Sequence, residues 1–185
     1  VRDLAAALKD PLILPCDVTV DAQIDAVFSS IDKEFGGLDF LVHGAAFAPR
    51  EELMAPFVQT SREGFRLSMD VSAYSLIALA RGAMPLMERR GGGSILTLTY
   101  LGSDRVFQNY NVMGVAKAAL ESTARYLAKY LGDRNVRVDL VSAGPVKTMA
   151  ARSIPGFDQF EGVWDRRAPL GDRRAFLVDE SDADH

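Results

Sequence analysis

Two phenols and an ammonium fall in one short stretch of this 185-residue chain, at Tyr100, Tyr110 and Lys117. Side chains of these types do oxyanion and proton chemistry. A neutral phenol donates a hydrogen bond to developing negative charge, and a neighbouring ammonium favours that charge electrostatically. Residues 111 to 132 carry a helical period. At 3.6 residues per turn, the seven-residue step from Tyr110 to Lys117 returns to nearly the same face, about 10 Å further along. Tyr100 closes the run GGGSILTLTY, which reads as a buried strand over 94–100. A second phenol therefore arrives at the seam between a strand and a helix. Tyr and Lys seven apart also occur on helices with no chemistry, so spacing alone leaves both readings open.

The elements that must position these groups follow one order along the chain. RDLAAALKD is helical, and residues 12–18, LILPCDV, read as a short buried strand. DAQIDAVFSSIDKEF places Ile24, Val27, Phe28, Ile31 and Phe35 at helical spacing, and Gly36-Gly37 ends it. A second apolar strand over 38–48 breaks into small residues, and a long helix follows over about 64–90. The strand 94–100, the helix 111–132 and a strand over 136–144 complete the series. Continuous apolar strands separated by helices predict an α/β fold: a Rossmann-type doubly wound parallel sheet with helices on both faces. In such folds the ligand lies outside the C-terminal ends of the strands. Four such ends are available, at Asp17-Val18, at His43 to Ala46, at Tyr100 and at Gly144 to Val146.

Bulk composition narrows the function classes. An apolar fraction of 48% and a charged fraction of 25% suit a single soluble globular domain. The net charge of −4 argues against nucleic acid or an anionic membrane as the main partner. No apolar run approaches the ~20 residues of a membrane span, and the lone Cys16 fits a reducing cytoplasm. With His43 and His185 the only histidines, a zinc site is not expected.

The Y-x9-Y-x6-K spacing, with NYNVMGVAKA around it and VRVDLVSAGPVKTMAA after it, closely resembles the enoyl-[acyl-carrier-protein] reductases of type II fatty-acid synthesis. These belong to the short-chain dehydrogenase/reductase superfamily, most of which spaces its tyrosine and lysine as Y-x3-K. Here the residue four after Tyr110 is Gly114, so the longer spacing favours the enoyl reductase branch. The resemblance runs from about residue 3 to residue 171.

That resemblance implies reduction of an enoyl thioester with NADH, NADPH being the less expected cofactor. It implies catalytic roles for Tyr100, Tyr110 and Lys117, with Tyr110 leading because it shares the Lys117 face. Lys117 is also implied to bond the nicotinamide ribose hydroxyls. Asp17 and Val18 are implied to hold the adenine, and Ala45 and Ala46 to meet the adenosine side. The segment Val146, Lys147, Thr148, Met149 and Ala150 is implied to meet the nicotinamide carboxamide, Thr148 reaching a phosphate. Phe47, Ala48, Met113, Ile154 and Phe157 are the implied walls of the acyl pocket. Where relatives read HSIGFA, this chain reads HGAAFA, which keeps the small residues a closely approaching cofactor needs. His43 itself reads as a structural strand-end histidine with no chemistry. The implied partners are an acyl carrier protein bearing the enoyl thioester and further copies of the chain in a homotetramer. Which phenol delivers a proton, or whether water does, stays open.

The chain departs from that pattern at both ends. It opens on Val1 and a helix instead of a strand and a glycine-rich phosphate-binding turn, and beyond Gly171 it becomes the acidic DRRAFLVDESDADH. The expectation is a reductase domain over 1–171 lacking its first strands and last strand, with exposed sheet edges, and a divergent tail over 172–185. Two rival readings remain: a 3-ketoacyl or other carbonyl reductase of the same superfamily, and a catalytically inactive relative acting as an interaction subunit.

Overall fold

The computed structural model describes residues 2–143. Its centre is a three-stranded parallel sheet in the order β1–β2–β3, built from Phe40–His43, Gly93–Thr99 and Val136–Ser142. Register brings Leu41 beside Ile95, and Thr97 beside both His43 and Leu140. Before the sheet come α1 (Arg2–Ala5) and α2 (Asp21–Phe35). Between β1 and β2 run α3 (Arg50–Met54), α4 (Arg62–Met69), a π turn (Asp70–Tyr74) and α5 (Ser75–Arg89). The helix α6 (Asn111–Leu131) joins β2 to β3.

Strand order equals chain order, so both crossovers step across the sheet in one direction. Right-handed crossovers taken in one direction put their helices on one face. The burial pattern agrees. Ile95, Thr97, Val136 and His43 are buried, while Phe40 and Val42, pointing the other way, are 66% and 54% exposed. The described residues thus carry the helical layer of one face. Leu76, Met87, Ile95, Leu120 and Val136 form the fully buried centre of that layer, each burial contributing about 1.5–3 kcal/mol. Ala78, Ala80 and Ala83 line α5 there, small enough to bring its axis close to its neighbours.

Helix ends follow local chemistry. Gly36 takes φ 65°, a left-handed conformation that favours glycine, and its N–H closes on the Asp32 carbonyl to stop α2. Ser61 caps α4 by accepting from the Gly64 N–H at 2.9 Å. The buried Glu52 carboxylate in turn accepts from the Ser61 hydroxyl and, at 3.1 Å, from its N–H.

Several sequence expectations need correction. Residues 12–18 form no strand: they run without regular secondary structure into a turn at Val18 and, among the described residues, pair with no neighbour. The first helix is only the single turn Arg2–Ala5, and the strand expected over 38–48 is Phe40–His43, with the small residues after it in a loop. The helix expected over 64–90 starts earlier, at Arg62, and passes through the π turn at Asp70–Tyr74. The hydroxyl of Ser72, inside that turn, leaves the helix and bonds the backbone of Phe47 instead.

Candidate active site

Tyr110 stands just ahead of α6, with φ −114° and ψ −17°, and its carbonyl accepts the first helical bond from Gly114 at 3.0 Å. It therefore does not ride the helical face of Lys117, as its spacing suggests; it leads into the helix from a turn whose preceding residue, Asn109, has φ 60°. Its ring is 8% exposed. The ring of Tyr100 meets it edge-on, 5.1 Å between centroids at 65°, and Phe107 stands 5.5 Å from Tyr100 on another side. The two phenols that sequence placed on separate elements are thus neighbours.

Two glycines make room for this pair. A Cβ on Gly102 would stand 2.5 Å from two carbons of the Tyr110 ring, and one on Gly114 would stand 2.7 Å from the Gly102 carbonyl oxygen. The short 3₁₀ turn Leu101–Ser103 and the first turn of α6 can approach this closely only without side chains there. Gly102→Ala is expected to destabilise the chain by about 1–3 kcal/mol through overpacking against Tyr110. Denaturant midpoints of the variant and the parent, measured side by side, check this.

Lys117 is buried and its Nζ donates to the Leu98 carbonyl at 2.6 Å, fastening α6 to the C-terminal end of β2. An ammonium has three donors, so two remain for a ligand. Burial pulls its pKa down from the ordinary lysine value. Burial also lifts the Tyr100 phenol, and lifts Tyr110 further, with Tyr100 adding to the effect. Both phenols are therefore neutral donors at physiological pH, and burial outweighs any acidifying influence of the Lys117 charge on them.

That charge is felt at His43 instead. The imidazole is 2% exposed, with Nδ1 2.8 Å from Thr97 Oγ1 and Nε2 2.8 Å from Ser75 Oγ. Because the Ser75 hydroxyl already donates to the Val71 carbonyl at 2.6 Å, it accepts from Nε2–H, leaving Nδ1 to accept from Thr97. Burial first, and Lys117 second, push the His43 pKa down to about 4. Both ring nitrogens are used within the core, as suits a structural histidine. The unfolded imidazole binds a proton below about pH 6.5 while the folded one stays neutral until about 4. The stability held above pH 6.5 therefore falls as pH drops through that window. A histidine NMR titration is expected to find the His43 midpoint near 4.

Asp17 is exposed, and its carboxylate accepts from the N–H of Thr19 at 2.9 Å and its hydroxyl at 2.7 Å. The side-chain bond from Thr19, followed by the backbone one, holds the Asp17 carboxyl below the usual range. The Asp17 N–H reaches Gln23 at 2.8 Å, and Val18 beside it is half-buried, so the turn is fixed locally. Past β1, a Cβ on Gly44 would meet nothing within 4 Å among the described residues; Ala45 is half-buried and Ala46 exposed. Phe47 is also exposed, but its N–H and C=O are held by Ser72 at 2.9 and 3.0 Å. Ala48 is half-buried, and Met113 is buried beneath the first turn of α6. Asn111 ties this side to the phenols: its Nδ2 reaches the carbonyls of Glu52, Leu53 and Ala55 at 3.3, 3.1 and 2.7 Å. Val146, Lys147, Thr148, Met149, Ala150, Ile154 and Phe157 lie outside the described residues.

A family model described as enoyl-(acyl carrier protein) reductase matches residues 1–176. The chain belongs to the enoyl-acyl carrier protein reductase family. It is 45% identical over 191 residues to the Bacillus subtilis enoyl-[acyl-carrier-protein] reductase [NADH] FabI, covering 97% of this chain and 73% of that protein. The Aquifex aeolicus relative of the same name is 50% identical over 157 residues, covering 85% of this chain and 58% of its own length. Among solved structures, the Bacillus cereus enoyl-acyl carrier protein reductase with NADP+ and indole naphthyridinone superimposes with a TM-score of 0.86 at 48% identity. It covers 91% of this chain and 66% of its own. The chain thus spans between about three fifths and three quarters of the length of these relatives. As a member of this family it is an oxidoreductase by class, with the Rossmann-like fold of its neighbours.

The functional signals in the sequence do not extend to Gly102, Ser72 or Asn111. Gly102, two residues after Tyr100, and Asn111, directly after Tyr110, were legible at most as neighbours of the phenols. Ser72 carried no signal, since its role depends on a π turn the helical pattern hides.

Proposed function

We propose that this chain reduces the trans-2 double bond of an enoyl thioester, carried by acyl carrier protein, to the saturated acyl thioester in type II fatty-acid synthesis, with NADH as cofactor. The observation that carries the reading is the pair of neutral, neighbouring phenols, Tyr100 and Tyr110, with a buried lysine bonded to the Leu98 carbonyl two residues before Tyr100. The residues present fit a dinucleotide. Among the described residues nothing fills the space beyond Gly44, Ala45 and Ala46 are small, and Lys117 has donors to spare at the strand end.

Bound NADH supplies the hydride, which the β-carbon of the enoyl group accepts. Negative charge then develops on the thioester carbonyl oxygen. The Tyr110 hydroxyl, held neutral by burial, donates a hydrogen bond to that oxygen. Lys117 anchors the cofactor ribose through its free donors and adds positive potential where the enolate forms. Protonation at the α-carbon completes the reduction, with Tyr100 placed to assist or relay. Asp17, Val18, Ala45 and Ala46 hold the adenosine end, and Phe47, Ala48 and Met113 border the acyl chain.

Gly114 favours this reading over a carbonyl reductase. A lysine four residues after Tyr110 has no room there, since a Cβ alone meets the Gly102 carbonyl at 2.7 Å. A groove between α4, the π turn, α5 and α6, with Phe65, Met69, Tyr74, Ile77 and Ala119 on its apolar wall and Arg62, Arg66 and Asp70 on its charged one, offers a surface for a further copy of the chain in the expected homotetramer. Among the described residues no helix is long and apolar enough to cross a membrane.

Calorimetric titration of the chain with NADH and, in parallel, NADPH tests the reading. Saturable NADH binding, tighter than NADPH, is expected; a folded chain that binds neither would assign it to the inactive alternative.

A further inference from the structure

Glu121 lies one turn beyond Lys117 on the same side of α6, half-buried. One of its carboxylate oxygens, Oε1, accepts two hydrogen bonds, from Thr99 Oγ1 at 2.6 Å and from Ser103 Oγ at 2.5 Å. Those hydroxyls bracket Tyr100, one residue before it and three after. Between them the chain leaves β2, passes Tyr100 in an extended conformation (φ −149°, ψ 150°) and enters the 3₁₀ turn, where the Ser103 N–H closes on the Tyr100 carbonyl at 2.9 Å. Just upstream Lys117 grips the Leu98 carbonyl, and just downstream Gly114 seats against Gly102. Positions 114, 117 and 121, three and then four apart, therefore hold the segment 98–103 from one side of a single helix.

We propose that Glu121 is the positioning residue for Tyr100, fixing the phenol against Tyr110 by holding both ends of the segment that carries it. The Glu121 oxygen is the acceptor of both bonds, so both hydroxyls turn toward it. With the strand end and the turn both tied to α6, the Tyr100 ring has one station, edge-on to Tyr110 and beside Phe107. The proposal rests on the enoyl reductase reading for its effect on turnover, but not for its effect on the position of the ring.

The test uses the full chain with 3-fluorotyrosine incorporated, the Tyr100 fluorine resonance being assigned by its loss in Tyr100→Phe. In Glu121→Ala that resonance is expected to move or broaden, while those of Tyr126 and Tyr130, exposed on the far turns of α6, stay put. Turnover of an enoyl thioester is expected to fall about tenfold, with the KM for NADH within about twofold. Glu121→Gln keeps an acceptor oxygen and is expected to recover turnover to within about threefold of the parent. Ser103→Ala, which leaves α6 untouched, is expected to shift the same resonance less and in the same direction. In a Tyr100→Phe background, Glu121→Ala is expected to cost no further turnover. An unmoved Tyr100 resonance in both Glu121→Ala and Ser103→Ala overturns the proposal, as does an equal loss of turnover with and without the Tyr100 hydroxyl. A moved resonance together with full turnover in Tyr100→Phe upholds the positioning role and removes Tyr100 from the reaction.

Discussion

Tyr110→Phe is expected to lower kcat for an enoyl thioester about a hundredfold while leaving NADH affinity and the denaturation midpoint nearly unchanged. The substitution removes one hydroxyl and keeps the ring that fills the space against Gly102 and Tyr100. A preorganised donor aimed at an oxyanion typically contributes roughly 3–4 kcal/mol to the transition state, the equivalent of about 10²–10³ in rate. The lower end is expected because Tyr100 stands 5.1 Å away, centroid to centroid, and offers a second phenol to the same region. Since the bond matters only as charge develops, the loss belongs in kcat and in kcat/KM alike. Steady-state kinetics of the variant check this; full turnover would falsify the assignment of Tyr110 to the reaction.

The second large effect belongs to Lys117→Ala. In the proposed reading this lysine joins two tasks in one buried group, holding the Leu98 carbonyl at 2.6 Å and binding the cofactor through its other donors. Its loss leaves a carbonyl without its partner, which costs about 1–3 kcal/mol of stability. It also removes the cofactor anchor, so NADH affinity is expected to fall by at least about tenfold, one lost charge-assisted hydrogen bond being worth about 1.5–3 kcal/mol. Calorimetry and chemical denaturation measure the two parts separately. A third consequence is specific to this geometry. Lys117 is the second cause of the depressed His43 pKa, after burial, so the His43 midpoint is expected to rise from about 4 in the variant. Burial persists, so the midpoint should stay below the ordinary histidine value. An unchanged midpoint would place the lysine charge elsewhere.

Much of the fold was legible because its signals are local. The helix α2 announces itself by its apolar spacing and stops at Gly36, where the left-handed conformation is visible in the residue type. The helix α6 and the strand β2 fall within a residue or two of the ranges their patterns predict. The failures are non-local. Residues 12–18 look like a strand, yet strand character requires a neighbour to bond, and no composition rule reveals whether one stands alongside. Phe40 and Val42 likewise read as buried strand residues but lie on the side of the sheet that the described helices do not cover.

The candidate site divides the same way. Residue type and spacing made Tyr100, Tyr110 and Lys117 candidates, the family resemblance turned them into a site, and the structure brings the two phenols into contact. Their supports were not. Spacing put Tyr110 on the helix, whereas the turn at Asn109 sets it before the first helical residue. The Leu98 carbonyl is a backbone group and leaves no mark in sequence, and Asn111 becomes a clamp only once three carbonyls of α3 and the turn after it converge on its amide. A carboxylate four residues after Lys117, on the inward side of α6, was the nearest thing to a readable sign of the Glu121 contacts.

The central claim is that this chain delivers hydride to carbon–carbon unsaturation rather than to a carbonyl. Turnover of a trans-2-enoyl thioester with NADH deuterated at C4 of the transferring face, followed by mass spectrometry of the product, tests it most directly. The account predicts a saturated acyl thioester carrying one deuterium at the β-carbon. A hydroxyacyl product from a 3-ketoacyl thioester under the same conditions, with the enoyl substrate returned unchanged, would contradict it.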